Sequence, residues 1–218
     1  MAELIDLFLH LDVHLADLVT TYGAWVYAIL FVIIFAETGL VVTPILPGDS
    51  LLFACGALAA TGVLDPWLTA GLLVTAAILG DAVNYAVGDF YGPKVVSAED
   101  YSGVLHRLLN RDHLRQAHAF FERHGGKAIV LGRFVPIVRT FVPFVAGAGE
   151  MTYRHFAFYN VLGAAIWVGL CVGAGFAFGN VPVVKENFSL VALGIVFVSL
   201  LPMAWELLQR RRGQTGAA

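Results

Sequence analysis

Two arginines and two prolines lie within one apolar stretch of the chain, GRFVPIVRTFVPFVAG, residues 132–147. Arg133 and Arg139 each carry a planar fork of donors that suits a phosphate or a carboxylate. Pro136 and Pro143 remove amide donors and break a regular helix, and the helix N-termini that such breaks expose favour anions. The stretch therefore predicts a site for an anionic substrate, with Arg133 and Arg139 as the substrate-binding residues.

Two carboxylates lie in a second apolar region that proline and glycine also interrupt. Glu37 ends the first long apolar run, and Asp49 follows in TPILPGDSLLFACGALAATG, residues 43–62. An isolated charge in hydrocarbon costs about 2.5–3.5 kcal/mol, so these acids and the two arginines are expected to pair or to face one wet cavity. We interpret Glu37 and Asp49 as proton carriers or as groups that orient the arginines. The residues that shape the backbone of the two regions are Pro44, Pro47, Gly48, Pro136 and Pro143.

Two questions about these charges stay open at the level of sequence. Arg139 follows Arg133 by six positions, which would splay their side chains on an unbroken helix, whereas a break at Pro136 allows them to converge. The alternative to a substrate site is a structural role, in which the ions only hold the segments together. Buried ion pairs, however, stabilise a fold poorly compared with apolar residues.

The composition of the chain indicates a membrane protein. Hydrophobic residues make up 59% of the 218 positions and charged residues only 13%, against about 25% in soluble domains. Three ranges, 18–36, 156–184 and 187–205, carry no charge and are long enough to cross a bilayer as helices. The predicted fold class is therefore an all-α polytopic membrane protein surrounded by lipid bilayer. A net charge of −3 gives no reason to expect a nucleic-acid partner.

Six apolar blocks follow an amphipathic N-terminal helix at residues 1–17. The blocks occupy about 18–41, 43–64, 66–92, 128–149, 156–180 and 187–208. An amphipathic linker at 93–127 and a tail at 209–218 carry most of the basic residues. The positive-inside rule places both of these segments in the cytoplasm, and we expect the N-terminus on the same side.

The shared location of the linker and the tail limits the crossings between them. Three crossings would put them on opposite faces, so one block must enter and leave on the same side. Block 128–149 is the candidate, because irregular backbone at membrane depth has to be buried in protein or face water. Block 43–64 is its counterpart from the outer face. Two opposed re-entrant hairpins and about four transmembrane helices then form an inverted repeat with halves 18–92 and 128–208, as in many secondary transporters.

The remaining polar residues are assigned structural roles. Asp81 and Asn84 are expected to face the interior of the bundle and to support packing. The tryptophans are attributed to interfacial belts and cores. His10 and His14 lie four residues apart, but no third ligand completes a metal site, so no metal and no other cofactor is expected.

With these residues in place, the sequence resembles the DedA family of bacterial inner-membrane proteins, part of the wider VTT-domain group. The resemblance covers about residues 28–180 and rests on a glutamate before the first hairpin, a Pro-Gly-Asp turn within it, and an Arg-Phe-x-Pro-x-x-Arg-Thr-Phe-x-Pro run. The matching stretches are FAETGLVVTPILPGDSLLFACGALAATGVL (35–64), ILGDAVNYAVGDFYG (78–92) and GRFVPIVRTFVPFVAGAGEMTYRHFAFYNVLGAAIW (132–167). Asp89 departs from the pattern, since many relatives have an arginine there.

The resemblance implies two opposed re-entrant hairpins and the translocation of lipids. It maps the functionally required acids and arginines of the family onto Glu37, Asp49, Arg133 and Arg139. Bacterial members are linked to the recycling of undecaprenyl phosphate, the lipid carrier of cell-wall synthesis, and to the proton motive force. The wider group is linked to phospholipid flipping or scrambling. The bacterial inner membrane is then the expected location, with a lipid phosphate and protons as partners.

The leading hypothesis is a flippase that moves a polyprenyl phosphate such as undecaprenyl phosphate, coupled to protons. The alternatives are a proton-coupled exchanger of small ions, a phospholipid scramblase, and a membrane-integrity or assembly factor without transport. An enzyme such as a lipid phosphatase is not expected, because only His155, beside Arg154, lies near the second hairpin and no second histidine follows it. Whether the protein forms a homo-oligomer stays open.

Overall fold

The computed structural model of the protein describes residues 21–40, 48–97, 111–179 and 181–182, which form helices and short turns without any strand. The helices are α1 Trp25–Gly39, α2 Gly48–Ala60, α3 Pro66–Ser97, α4 Arg111–His124, α5 Lys127–Gly132, α6 Pro136–Val145 and α7 Tyr153–Phe178, with a π-helical turn at Ala146–Glu150. The predicted all-α class is confirmed for these ranges. The predicted helix 1–17, block 187–208, the tail, Pro44 and Pro47 lie outside the described residues.

Two of the described helices, α3 and α7, are long and apolar enough to cross a membrane, over Pro66–Tyr91 and Tyr153–Phe178. Each of these segments is about 39 Å long at 1.5 Å per residue, more than the roughly 30 Å of a hydrocarbon core. The start of α3 is fixed locally, because the Asp65 carboxylate accepts the amide of Leu68 at 2.7 Å and proline opens the first turn.

Glycines with positive φ precede four of the helices. The number of residues from such a glycine to the start of its helix is the same for corresponding helices of the two halves. α1 and α5 each begin two residues after such a glycine, and α3 and α7 each begin four residues after one. Glycine adopts this left-handed conformation without the steric cost of a Cβ. The chain therefore turns at matching places before corresponding helices. The four glycines are Gly23 (φ 53°), Gly125 (φ 55°), Gly62 (φ 80°) and Gly149 (φ 113°).

In the first half, α1 runs parallel to α3, and the two helices start side by side. α2 runs in the opposite direction, back towards these starts. The Tyr27 hydroxyl accepts the amide of Asp65 at 2.9 Å near the start of α1 and α3, and Gly39 at the end of α1 packs on Gly80. α2 begins beside the end of α1 and reaches the turn before Asp65. α1 and α2 therefore point in opposite directions.

α2 lies along α7, with the two backbones in contact. A Cβ on Gly175 would overlap the carbonyl oxygen of Phe53, and Gly179 faces Ala57 one turn further along both helices. Since later residues of α2 contact later residues of α7, these helices run parallel. Together with the direction of α1 and α3, this makes the two long helices antiparallel.

The second half repeats the arrangement with the long helices exchanged. α5 lies along α7, where Gly126 faces Tyr159, and α6 lies along α3, where a Cβ on Gly88 would overlap the carbonyl oxygen of Phe144. In each half, the first short helix packs on the long helix of its own half and the second packs on that of the other half. Helix α4 covers the second pair, with Phe121 buried in the cluster of apolar residues around α5 and α6.

The prolines of the second stretch act differently from one another. Pro136 begins α6, so the chain is broken between α5 and α6 as the sequence predicted. The prediction that Pro143 also breaks the helix is wrong, because Pro143 lies inside α6. Its missing amide removes only the donor to the carbonyl of Arg139. The helix ends instead through the π-helical turn, where Gly149 adopts a conformation that residues with a Cβ avoid.

Candidate functional site

Arg139, on α6, lies against the two carboxylates of the first half of the chain. Its guanidinium forms an ion pair with Glu37 at the end of α1 and reaches Asp49 in the first turn of α2 at 3.4 Å. The same Glu37 oxygen accepts the amide of Gly48 at 3.2 Å. A Cβ at position 48 would overlap the Glu37 carboxylate, so glycine is what permits this close approach. Three of the four charged residues named from the sequence thus meet in one group.

Trp167, on α7, joins this group to Arg133. Its indole N–H donates to Asp49 Oδ1 at 2.8 Å. Its ring centre lies 4.8 Å from the guanidinium carbon of Arg139 and 5.8 Å from that of Arg133. Both distances fall within the roughly 6 Å over which an aromatic face attracts a cation. The two arginines therefore converge on a single buried indole ring.

Arg133, in the turn between α5 and α6, pairs with a residue that the sequence assigned to packing alone. Its guanidinium forms an ion pair with Asp81 on α3 and donates to Asn160 Oδ1 on α7 at 2.6 Å. Asn160 in turn donates to the carbonyl oxygen of Ile78 at 3.0 Å. Asp81 is thus an ionic partner within the site, and Arg133 is held by both long helices.

Asn84, on α3, links α1 of the first half to α6 of the second half. Its side-chain amide donates to the carbonyl oxygen of Thr140 at 2.7 Å and to that of Thr38 at 3.4 Å. Asn84 is fully buried, so these carbonyl groups are satisfied away from solvent. The expected packing role of Asn84 includes this link between α1 and α6.

A cavity of about 10 Å³ lies between the two ion-pair groups. This volume holds about one water molecule, and its polar walls offer the hydrogen-bond partners that a buried water needs. A lipid phosphate head group is far larger, so the described conformation is closed around the charges. The cavity is lined by Thr38, Asp81, Arg133, Arg139, Thr140 and Trp167.

The site carries more negative than positive charge, and two polar atoms of its ionic groups have no partner in the part of the chain that the structure describes. Three carboxylates face two guanidiniums, so one negative charge is left over when all five are ionised. Among the described residues, Glu37 Oε2 and Arg133 Nε are buried without a hydrogen-bond partner. Leaving a buried polar atom unsatisfied costs roughly 1–3 kcal/mol or more. Binding of a proton or a water at Glu37 Oε2, or of a water or a substrate oxygen at Arg133 Nε, is therefore favourable. Within the described ranges, no group of three or more His, Cys, Asp or Glu residues could hold a metal ion.

Comparison with known proteins assigns the chain to a family. The family model described as "VTT domain" matches residues 46–177, more than half of the chain. "Protein DedA" of Escherichia coli (strain K12) is 54% identical over 217 residues, which cover 99% of this chain and 97% of the relative. The chain belongs to the DedA family. The resemblance seen in the sequence motifs is therefore confirmed.

Further DedA-family relatives have names that place them in membranes. "Inner membrane protein YghB" of Escherichia coli (strain K12) is 37% identical over 179 residues, covering 82% of this chain and 78% of the relative. An uncharacterized membrane protein of Mycobacterium tuberculosis (strain ATCC 25618 / H37Rv) is 42% identical over 185 residues, covering 83% and 78%. With the apolar helices α3 and α7, this identifies a helical membrane protein. No solved structure matches the chain.

The matched domain contains most of the candidate site of this chain, including residues that sequence reasoning missed. Asp81, Asn160 and Trp167 lie inside the domain, whereas Glu37 lies before it but within the near full-length similarity to Protein DedA. Trp167 and Asn160 were not singled out as site residues. The available signal was their polar groups in the middle of an apolar run, since an indole N–H or an amide buried at that depth needs a partner.

Proposed function

We propose that this DedA-family protein is a proton-coupled flippase for polyprenyl phosphates such as undecaprenyl phosphate in the bacterial inner membrane. The observation that carries the proposal is the group in which Arg139 holds Glu37 and Asp49, two carboxylates from a different part of the chain. An arginine fork that pairs with carboxylates also suits a phosphate. The inner-membrane location rests on the name of the relative YghB and on the apolar helices.

The proposed membrane arrangement is an inverted repeat in which two re-entrant hairpins enter from opposite faces. α1 and α2 form the first hairpin, α5 and α6 form the second, and α3 and α7 cross the bilayer. The antiparallel direction of α3 and α7 supports this arrangement, because each hairpin starts at the end where its own long helix starts. At about 20 Å and 15 Å, the 13-residue α2 and the 10-residue α6 are too short to cross. In this proposal α1 joins the predicted block 43–64 in the first hairpin, so the start of α1 lies at the outer face and not on the cytoplasmic side expected for the N-terminus.

In this proposal, Arg133 and Arg139 supply the donors that bind the phosphate head group. Both guanidiniums face the Trp167 ring, so one ligand at that place can reach both. In the closed conformation Glu37 and Asp49 hold Arg139 and Asp81 holds Arg133, and the cavity between them has no room for a head group. Binding of the lipid therefore requires the hairpin ends to separate and at least one carboxylate to give way.

The carboxylates provide the proposed coupling to protons. A proton on Glu37 or Asp49 removes the excess negative charge of the site and weakens the hold of that carboxylate on Arg139. The arginine is then available to a phosphate. Loss of the proton on the other side of the membrane returns Arg139 to its carboxylates and expels the phosphate. Proton movement and lipid movement are linked by this exchange of partners, and no covalent chemistry is proposed for the site.

A proton-coupled exchanger of a small ion is the second candidate, and the size of the cavity favours it. The cavity has room for about one water molecule, so an ion of that size enters it without separation of the hairpin ends. The same pair of arginines would hold such an anion. The two candidates differ in whether the lipid phosphate itself changes leaflet.

Leaflet exchange of a fluorescent short-chain polyprenyl phosphate in reconstituted liposomes tests the proposal. We expect the wild type to accelerate exchange, and a pH gradient to increase the rate further. Arg139→Ala is expected to lose the exchange, and Arg123→Ala to keep it, because Arg123 is exposed on α4. The variants are compared at equal amounts of folded, inserted protein.

Each result separates the candidate functions. Exchange that depends on Arg139 and on the gradient supports the proton-coupled flippase, whereas exchange without gradient dependence supports a scramblase. A wild type that matches empty liposomes rejects the lipid substrate. In that case, flux of a small anion driven by the pH gradient supports the exchanger, and absence of any flux supports an assembly factor.

A further inference from the structure

Trp167 touches three charged side chains of the site with two different parts of its indole. The N–H edge donates to Asp49 at 2.8 Å, and the ring face lies 4.8 Å from the guanidinium of Arg139 and 5.8 Å from that of Arg133. Trp167 is only 2% exposed. Its contacts are therefore those of a residue that acts on the ion pairs, in addition to filling space.

Asp49 Oδ1 is shared between two donors, and the indole is the closer one. Trp167 Nε1 lies at 2.8 Å, whereas Arg139 Nη1 lies at 3.4 Å, beyond the roughly 2.7–3.2 Å of an ordinary N–H···O bond. The Asp49 side chain is 26% exposed, while that of Glu37 is 3% exposed and is also held by the Gly48 amide. Of the two carboxylates on Arg139, Asp49 is thus the weaker partner and the easier one to replace.

We propose that Trp167 is the positioning residue for the exchange of Arg139 from Asp49 to the phosphate of the substrate, an inference that rests on the proposed function. When a phosphate takes the Nη1 donor of Arg139, the indole N–H keeps Asp49 hydrogen-bonded. That carboxylate therefore keeps the indole as a donor while Arg139 changes partner at membrane depth. The ring face meanwhile keeps its attraction for the guanidinium, which changes partners without leaving the aromatic surface.

Phenylalanine at this position separates the two parts of the indole. Trp167→Phe keeps an aromatic face for the arginines and removes the N–H donor. Asp49 then turns fully to Arg139, and a phosphate has to displace a more tightly held carboxylate. We expect the KM for the lipid to rise about tenfold while kcat is largely kept. Loss of packing alone would lower kcat and the melting temperature and would leave KM unchanged.

Equilibrium binding of a fluorescently labelled short-chain polyprenyl phosphate to the full-length protein in nanodiscs measures the same effect. A double-mutant cycle of Trp167→Phe and Asp49→Asn shows whether the indole acts through Asp49. Trp167→Phe is expected to raise the dissociation constant about tenfold in the wild-type background. In the Asp49→Asn background, which has no carboxylate charge to hold, the change is expected to stay below about twofold. Trp67→Phe is the matched control, because Trp67 is 85% exposed and is expected to tolerate the change.

The outcomes of this cycle are distinct. Equal binding by Trp167→Phe and the wild type would overturn the role of Trp167 while leaving the proposed substrate in place. An equal loss in both backgrounds would also overturn it, since the indole would then act independently of Asp49. A wild type that does not bind the probe would overturn the proposed substrate and, with it, the exchange.

The fluorescence of Trp167 gives a second test that leaves residue 167 unchanged. In a protein carrying Trp25→Phe, Trp67→Phe and Trp205→Phe, Trp167 is the remaining one of the 4 tryptophans. Unlabelled short-chain polyprenyl phosphate is expected to shift its emission, because a guanidinium moves on the ring face. The shift is expected to disappear with Arg139→Ala. Constant emission during confirmed binding of the phosphate contradicts the exchange.

Discussion

Gly175 on α7 and Phe53 on α2 meet backbone to backbone, so that a Cβ on Gly175 would overlap the Phe53 carbonyl oxygen. Gly88 on α3 meets Phe144 on α6 in the same way. Each of these glycines lies 26 residues after the positive-φ glycine that precedes its long helix. The second short helix of each half is therefore seated at an equivalent place on the long helix of the other half.

The first prediction concerns this contact. Gly175→Ala is expected to lower the free energy of unfolding by about 1–3 kcal/mol, because the added methyl group forces two backbones apart. Gly173→Ala is the control on the same helix, since a Cβ there meets none of the described residues within 4 Å. Thermal unfolding of the two purified variants checks the difference. Equal melting temperatures would show that α2 shifts along α7 without cost and would contradict the close contact.

The second prediction concerns the pair formed by Asp81 and Arg133. Asp81→Asn is expected to destabilise the protein by about 3–5 kcal/mol, because it leaves a buried guanidinium without its counter-ion. Asp89→Asn is the matched control, since Asp89 lies on the same helix with its side chain exposed. Thermal unfolding and the yield of monodisperse protein are the measurements. An Asp81→Asn variant as stable as Asp89→Asn would mean that Asn160 alone satisfies Arg133.

The pairing of Asp81 with Arg133 also shows where sequence reasoning reached its limit. The high cost of an isolated charge in hydrocarbon was enough to predict that Glu37, Asp49 and Arg139 would meet. The cost does not say which acid each arginine takes. The pairing depends on which faces of α3 and α7 lie next to Arg133, in the connection between α5 and α6. Helix packing between the two halves determines those faces. Asp81 and Asn160 became partners of Arg133 for that reason.

The helical elements were predictable to different degrees for similar physical reasons. The long apolar runs of α3 and α7 and the break before Pro136 follow from composition and from the missing amide of proline. Pro143 was mistaken for a second break, because a single lost hydrogen bond is tolerated where the rest of α6 is packed on α3 and α5. The sequence assigned Trp167 to an interfacial or packing role like the other tryptophans, because Asp49, the partner of its N–H, lies on a distant segment.

The third prediction tests whether the fork of donors on Arg139 is needed. Arg139→Lys keeps a positive charge beside Glu37 but replaces two separate guanidinium nitrogens with one point charge. We expect folded protein whose leaflet exchange of polyprenyl phosphate falls at least about tenfold. Arg123→Lys, at an exposed position, is expected to transport normally. Full transport by Arg139→Lys would favour a structural role for the ion pairs over phosphate binding.

The fourth prediction assigns the proton to a residue. Glutamine at position 37 resembles protonated Glu37: it is neutral, and its oxygen still accepts the Gly48 amide. Protonation is proposed to weaken the hold on Arg139, so in Glu37→Gln that hold is weak at every pH and only Asp49 remains to displace the phosphate. The rate of exchange should then be the same with and without a pH gradient. Glu122→Gln, on the exposed face of α4, should keep the gradient dependence of the wild type. Liposome exchange at matched and unmatched pH distinguishes the two. If Glu37→Gln still responds to the gradient, the proton is carried elsewhere, and Asp49→Asn in the same assay shows whether Asp49, the more exposed carboxylate on Arg139, carries it.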